Sequence, residues 1–218
     1  SSPSYAYGTL AYLEDNPALF ATFHKALLKK SQVEDHDIIC DFDFSSFSRV
    51  MDIGSGKGSF IRAILDDNPH LKGAMFDLKQ TFDTEVEEKY KDRLIQLYGD
   101  FFVEVPDYAD AYTMKNVIHN WPEAKAIKLL QKVREAMLSS KGNDTDPANK
   151  RLLIVENIVP ENDDHKVANW MDLNFMILID GAERTIDEYA QLGQKCGLRL
   201  VEAFETKAGR HILSYAIA

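Results

Sequence analysis

The sequence predicts an α/β chain: a doubly wound, mostly parallel sheet that ends in an antiparallel hairpin. Three observations carry this. From Phe47 onward, short apolar runs alternate with segments of helical periodicity, the pattern of strand–helix–strand units. The run LLIV at 152–155 is wholly apolar, as a strand covered on both faces must be. Finally, RHILSYAIA follows LRLVEAFETK across only Ala208 and Gly209. That link is too short for a crossover helix, so the last two strands must be antiparallel.

The elements follow in order. Asn16-Pro17 suits a helix cap and first turn, and Leu19, Phe20, Phe23, Ala26 and Leu27 then recur at helical spacing, predicting a lead-in helix over 17–30. RVMDIG (49–54) is a buried strand and residues 59–65 a helix; GAMFDL (73–78) is the second strand. After a short charged helix come LIQLYGD (94–100) and DAYTMKNVI (110–118) as the third and fourth strands. Pro122 opens a long helix through Met137, with Ala126, Leu129, Leu130, Val133 and Met137 on one face. RLLIVENIV (151–159) is the fifth strand, 166–178 a helix, and Thr185 to Cys196 another, stopped by Gly197. The hairpin brings the sheet to seven strands. SSKGNDTDPANK (139–150) is a polar surface loop within the domain. The expected division is a helical lead-in over 1–46 and one compact unit over 47–218.

Composition narrows the possibilities. At 218 residues the chain suits one substantial α/β domain. Lys+Arg 25 against Asp+Glu 35 gives a net charge of −10, which argues against a nucleic-acid backbone as partner. No run of apolar residues is long enough for a membrane span, and SSPSYAYGTLAY is not a signal peptide. The missing initiator Met suggests a processed chain or an excised piece. Cys40 and Cys196 lie far apart without a C-x-x-C pair, which suits a reducing, cytoplasmic setting. The six histidines are scattered singly, so no metal centre is expected.

The chemistry starts at VMDIGSGKGSF (50–60). Gly54, Gly56 and Gly58 let a strand end turn sharply and approach a ligand closely. In open α/β sheets the ligand lies at the carboxyl ends of the strands, by the first strand. A dinucleotide fingerprint needs its third glycine at 59, which is Ser59, and Lys57-Gly58 is not a P-loop. Asp77 ends the second strand 23 residues after Gly54; it is either a ribose-diol acceptor or a plain helix cap. Asp100 and Phe101 end the third; they are either an adenine site or a turn with core aromatics.

Taken together, VMDIGSGKG, FDL, GDFF, MKNVIHNWPEAKAIKLL, LLIVENIVP and GAERTIDEY resemble the class I S-adenosylmethionine-dependent O-methyltransferases of the caffeic-acid and hydroxyindole type, in order and spacing, from about Phe23 to the end. Ser55 stands where that family has its middle glycine. The resemblance implies a Rossmann-like fold and S-adenosylmethionine as methyl donor, held by Asp52, Gly54, Gly56, Gly58, Asp77, Leu78, Asp100, Phe101, Lys115 and Trp121. It implies His119 as general base, flanked by Glu156 and Glu183. Asn120 replaces the family's acid beside the base. With Trp170, Met171, Asn174, Phe175 and Met176 it would line the pocket for a small aromatic, phenolic or polyketide-like acceptor. Family members also carry an N-terminal helical domain that makes a homodimer; only the lead-in helix represents it here. Relatives that bind the donor without methylating, a non-catalytic binding module, and a nicotinamide oxidoreductase are the rival readings.

Overall fold

A computed structural model describes residues 34–82, 85–139, 141–142, 145–160 and 182–218. The expected helices at 17–30 and 166–178, and with them Trp170, Met171, Asn174, Phe175 and Met176, lie outside the described residues.

The described residues begin with helix α1 (34–40). It then alternates through β1 (Arg49–Ile53), α2 (Ser59–Asp67), β2 (Lys72–Asp77), β3 (Leu94–Tyr98), β4 (Ala111–Lys115), α3 (Glu123–Leu138), β5 (Arg151–Glu156), α4 (Ile186–Lys195), β6 (Leu198–Glu205) and β7 (His211–Ile217). The seven strands lie in the order β3-β2-β1-β4-β5-β7-β6. β1 to β5 pair in parallel, and β7 pairs antiparallel with both β5 and β6. The expected sheet, with its closing hairpin, is the one observed.

Strand alternation feeds two separate cores. Met51, Ile53, Leu152 and Ile154 face α3 and α4, meeting Leu129, Leu130, Val133, Met137, Tyr189 and Leu192. Their sequence neighbours Val50, Leu153 and Val155 face the other way, onto Phe60, Ile61, Ile64 and Leu65 of α2. Ile38, Ile39 and Phe44 are buried in this second core, so residues after 34 share the packing of the sheet. α4 starts on a capping box, Thr185 with Glu188.

Two local expectations give way. No α-helix forms among the described residues between β2 and β3; two short 3₁₀ turns, Lys79–Thr81 and Glu88–Tyr90, stand there instead. The fourth strand stops at Lys115 rather than running through 118: Asn116 takes φ 57, and a 3₁₀ turn follows over Ile118–Asn120. Asparagine tolerates the left-handed region, so the chain turns outward there. The loop after α3 is also anchored inward: fully buried Lys150 donates to Asp107 Oδ1 at 2.9 Å and to the Ser139 carbonyl at 2.6 Å.

Candidate active site

Strand order reverses direction between β1 and β4, and the carboxyl ends of these strands form the crevice where such folds bind ligands. The glycine turn comes from β1. Gly54, Gly56 and Gly58 all have positive φ, 69°, 54° and 76°, which a side chain would strain. A Cβ on Gly54 would strike Val117 Cγ2 at 2.9 Å, whereas one on Gly56 would meet no atom within 4 Å. The turn therefore packs tightly at its start and leaves open space above Gly56.

Asp77 at the end of β2 supports this turn. Its Oδ2 accepts from the Gly56 N–H at 2.9 Å, and its Oδ1 accepts from the Leu78 N–H at 2.7 Å and the Thr81 hydroxyl at 3.0 Å. A carboxylate has about four acceptor positions, and of the three partners engaged here only the Thr81 hydroxyl is free to rotate. Leu78 is 44% exposed beside it. Past β3, Asp100 Oδ1 accepts from the Phe102 N–H at 2.8 Å. The neighbouring rings form an aromatic wall: Trp121 stands edge-on to Phe102 at 4.8 Å and to Phe101 at 6.1 Å.

Asp52 and Lys115 sit beneath the turn rather than in it. Asp52 is buried and accepts from the Thr113 hydroxyl at 2.9 Å. Burial pushes its carboxyl up to about 7, against the Thr113 hydrogen bond and with the Asp35 charge adding to the rise. The buried Lys115 ammonium meets Asp35 of α1 at 2.5 Å, so its charge is engaged by that helix.

The histidine side is assembled from distant segments. His119 lies on the 3₁₀ turn after β4, and its Nδ1 is 2.8 Å from Glu156 Oε2. The other carboxylate oxygen accepts the backbone N–H of Val117 at 3.1 Å and of His119 at 3.3 Å. Glu156 is fully buried, while the His119 side chain keeps 21% exposure. Burial works against the imidazolium, but the Glu156 hydrogen bond and charge, with Glu183 behind, hold the His119 pKa above its ordinary value. Glu183 is half-buried and its Oε1 accepts from Asn157 at 3.4 Å. Asn120 turns back, donating its amide to the Asn116 carbonyl at 3.0 Å.

Two arginines complete this side, and the sequence pointed to neither. Arg184, which could have paired with its neighbour Glu183, instead turns into the protein. It donates to the Ala182 carbonyl at 2.9 Å, the Trp121 carbonyl at 3.0 Å and the Ile118 carbonyl at 3.5 Å. The Ala182 N–H donates to the His119 carbonyl at 2.8 Å. The His119 turn is thus stapled at Ile118, His119 and Trp121. Arg210 donates to Asn116 Oδ1 and to Glu34 Oε2, each at 3.2 Å. Nothing in local sequence marks either residue, because apart from the Ala182 carbonyl their partners, the Trp121 and Ile118 carbonyls, Asn116 and Glu34, lie far along the chain.

A mostly parallel sheet closed by an antiparallel hairpin, with a glycine turn at the end of its first strand, is a Rossmann-like nucleotide-binding architecture. The chain belongs to the O-methyltransferase domain family, whose model matches residues 3–199. It is similar to the phenazine O-methyltransferase PhzM of Lysobacter antibioticus, 32% identical over 213 residues, covering 95% of this chain and 60% of that protein. The mitomycin biosynthesis 6-O-methyltransferase of Streptomyces lavendulae is 31% identical over 199 residues, covering 89% and 54%. Among solved structures, CalO1, a methyltransferase in calicheamicin biosynthesis in its SAH-bound form, matches with a TM-score of 0.85 at 27% identity, covering 95% of this chain and 60% of that one. The chain thus spans little more than half the length of these curated relatives.

Proposed function

We propose that the chain is the donor-binding and catalytic part of an S-adenosylmethionine-dependent O-methyltransferase acting on a hydroxyl of a small aromatic or polyketide-like metabolite. The observation that carries this is the His119–Glu156 pair beside the glycine turn. Glu156 occupies Nδ1, which leaves Nε2 as the nitrogen that takes the proton from the acceptor.

The residues present fit the donor. The open space above Gly56 suits a close-approaching methionine end, Asp77 suits a ribose, and Asp100 with Phe101 suits an adenine. Trp121 extends the aromatic wall. Bound there, S-adenosylmethionine supplies a sulfonium methyl for in-line displacement. The protein's own part is to hold the acceptor oxygen in line, exclude water and accept the proton on Nε2. The buried Glu156 carboxylate then stabilises the imidazolium, and Glu183 adds to the same negative field. Lys115 serves through the buried Asp35 pair beneath the turn.

The acceptor class is supported by the names of the relatives, which act on phenazine and mitomycin skeletons. Residues 170–176 and Asn120 would line its pocket, residues 47–218 would form the catalytic unit with 1–46 as lead-in, and the whole protein would work as a cytoplasmic homodimer. The two cysteines are unbridged, and no described helix is long and apolar enough to cross a membrane. The test is paired. S-adenosylhomocysteine should raise the melting temperature by mass action, and methyl-labelled donor with a panel of phenols should label product. No thermal shift at saturating ligand overturns donor binding. A shift with unconsumed donor overturns methyl transfer in favour of a non-methylating relative or binding module.

A further inference from the structure

We propose that His36, Cys40 and Asp67 form a surface site for one zinc-type divalent cation, completed by water. The site lies at the opposite edge of the sheet from His119, because α2 runs back against the strands and ends at Asp67.

His36 and Cys40 are one helical turn apart on α1, so their side chains share a face. His36 Nε2 lies 3.7 Å from Cys40 Sγ, and Cys40 Sγ lies 3.8 Å from Asp67 Oδ2. The three donor atoms all fall within 4.8 Å of one another. Zinc bonds of about 2.3 Å to sulfur and 2.0–2.1 Å to nitrogen at a tetrahedral angle place the two ligand atoms about 3.6 Å apart. The thiol and imidazole thus already stand near ligand spacing, and a small rotation of the exposed Asp67 closes the set.

The donor types fix the class of ion. One thiolate, one imidazole and one carboxylate suit zinc, cobalt or a similar cation, and not magnesium or calcium, which take oxygen ligands. The surrounding charge is favourable too. Asp37 and Asp41 add negative potential at the sulfur, while the Lys207 ammonium, which feels the same sulfur, is held by Asp41 at 2.9 Å. An open cleft of about 400 Å³ lined by Cys40, Asp67 and Asn68 leaves room for water on the ion. The sequence could not show this, since Asp67 lies 27 residues from Cys40; α2 brings it there.

A bound cation would clamp α1 to the end of α2. The same helix carries Glu34 and Asp35, the partners of Arg210 and Lys115, so the clamp steadies the segment that braces the active-site edge. The measurement is a cobalt(II) titration of the chain, followed by the thiolate-to-cobalt charge-transfer band. One equivalent should bind, with zinc displacing it and raising the melting temperature. Cys40→Ser should abolish the band, Cys196→Ser should leave it intact, and His36→Ala should weaken binding by about tenfold or more. Circular dichroism of each variant excludes misfolding as the cause. No band, a band that survives Cys40→Ser, or binding indifferent to His36→Ala would each overturn the site.

Discussion

The glycine turn after β1 and the His119 turn after β4 sit side by side at one edge of the sheet, but they are held by different means. The glycine turn is shaped by its own backbone, with three positive-φ residues in five and a single carboxylate, Asp77, in support. The histidine turn is shaped by side chains from far away: Glu156 reaches it across 37 residues, and Arg184 spans 63 to reach Trp121. One is a conformation fixed locally by its own backbone. The other is a network in which each member orients the rest, so changes around it act on the geometry of one imidazole.

That contrast has a sharp consequence for His119 itself. His119→Ala should lower methyl transfer by roughly 10²–10⁴-fold, the range for losing a positioned general base. It should leave the S-adenosylhomocysteine thermal shift almost unchanged, because the glycine turn does not depend on it. A parallel loss of donor binding would show that the two regions are one unit and break the comparison.

Next in size is Arg184. Arg184→Met leaves the Trp121 and Ala182 carbonyls without their charged donor, at about 1–3 kcal/mol for each group left unsatisfied. Denaturant melts should show a loss of that order, and turnover should fall with little change in donor affinity. If Arg184→Met matched the parent in both, the base turn would be held by Glu156 alone.

The donor side is tested by a pair of glycines. Gly54→Ala and Gly56→Ala both force a side chain into the left-handed region, costing about 1–2 kcal/mol. Only Gly54 has a neighbour in the way, Val117. Gly54→Ala should therefore be the less stable variant, while Gly56→Ala should lose more S-adenosylhomocysteine affinity than stability. The reverse ranking would place the ligand elsewhere.

The same contrast explains what could be read from the sequence. The succession of strands and helices, the hairpin at Gly209 and the glycine turn depend on residues adjacent in the chain, so periodicity and spacing expose them. His119 with Glu156 emerged from the resemblance of MKNVIHNWPEAKAIKLL and LLIVENIVP to the family's motifs; spacing alone leaves His119 an ordinary capping or surface histidine. The kink at Asn116 stayed hidden, since an apolar continuation through Val117 and Ile118 imitates a longer strand. Arg184 stayed hidden because backbone carbonyls leave no trace in a pattern of side chains, and Arg210 because Asn116 and Glu34 lie 94 and 176 residues from it. The buried engagement of Lys115 by Asp35 was equally out of reach, as 80 residues separate them.

The smallest expected effect is a shift along the pH axis. A general base works in its neutral form, so the acidic limb of kcat/KM should fall at the His119 pKa of the free enzyme. That pKa lies above its ordinary value because the Glu156 hydrogen bond and charge outweigh burial. Glu156→Gln removes the charge, so the limb should move to lower pH even as the rate above it falls for want of imidazolium stabilisation. Stability should respond with the matching sign. A histidine raised on folding contributes stability below its unfolded value, about 6.5, and loses it as pH rises through the folded value. The parent should accordingly be stabilised relative to Glu156→Gln more at pH 6 than at pH 8. A limb that stays in place in Glu156→Gln would mean that the carboxylate only positions the turn, through the Val117 and His119 amides, and does not tune the base.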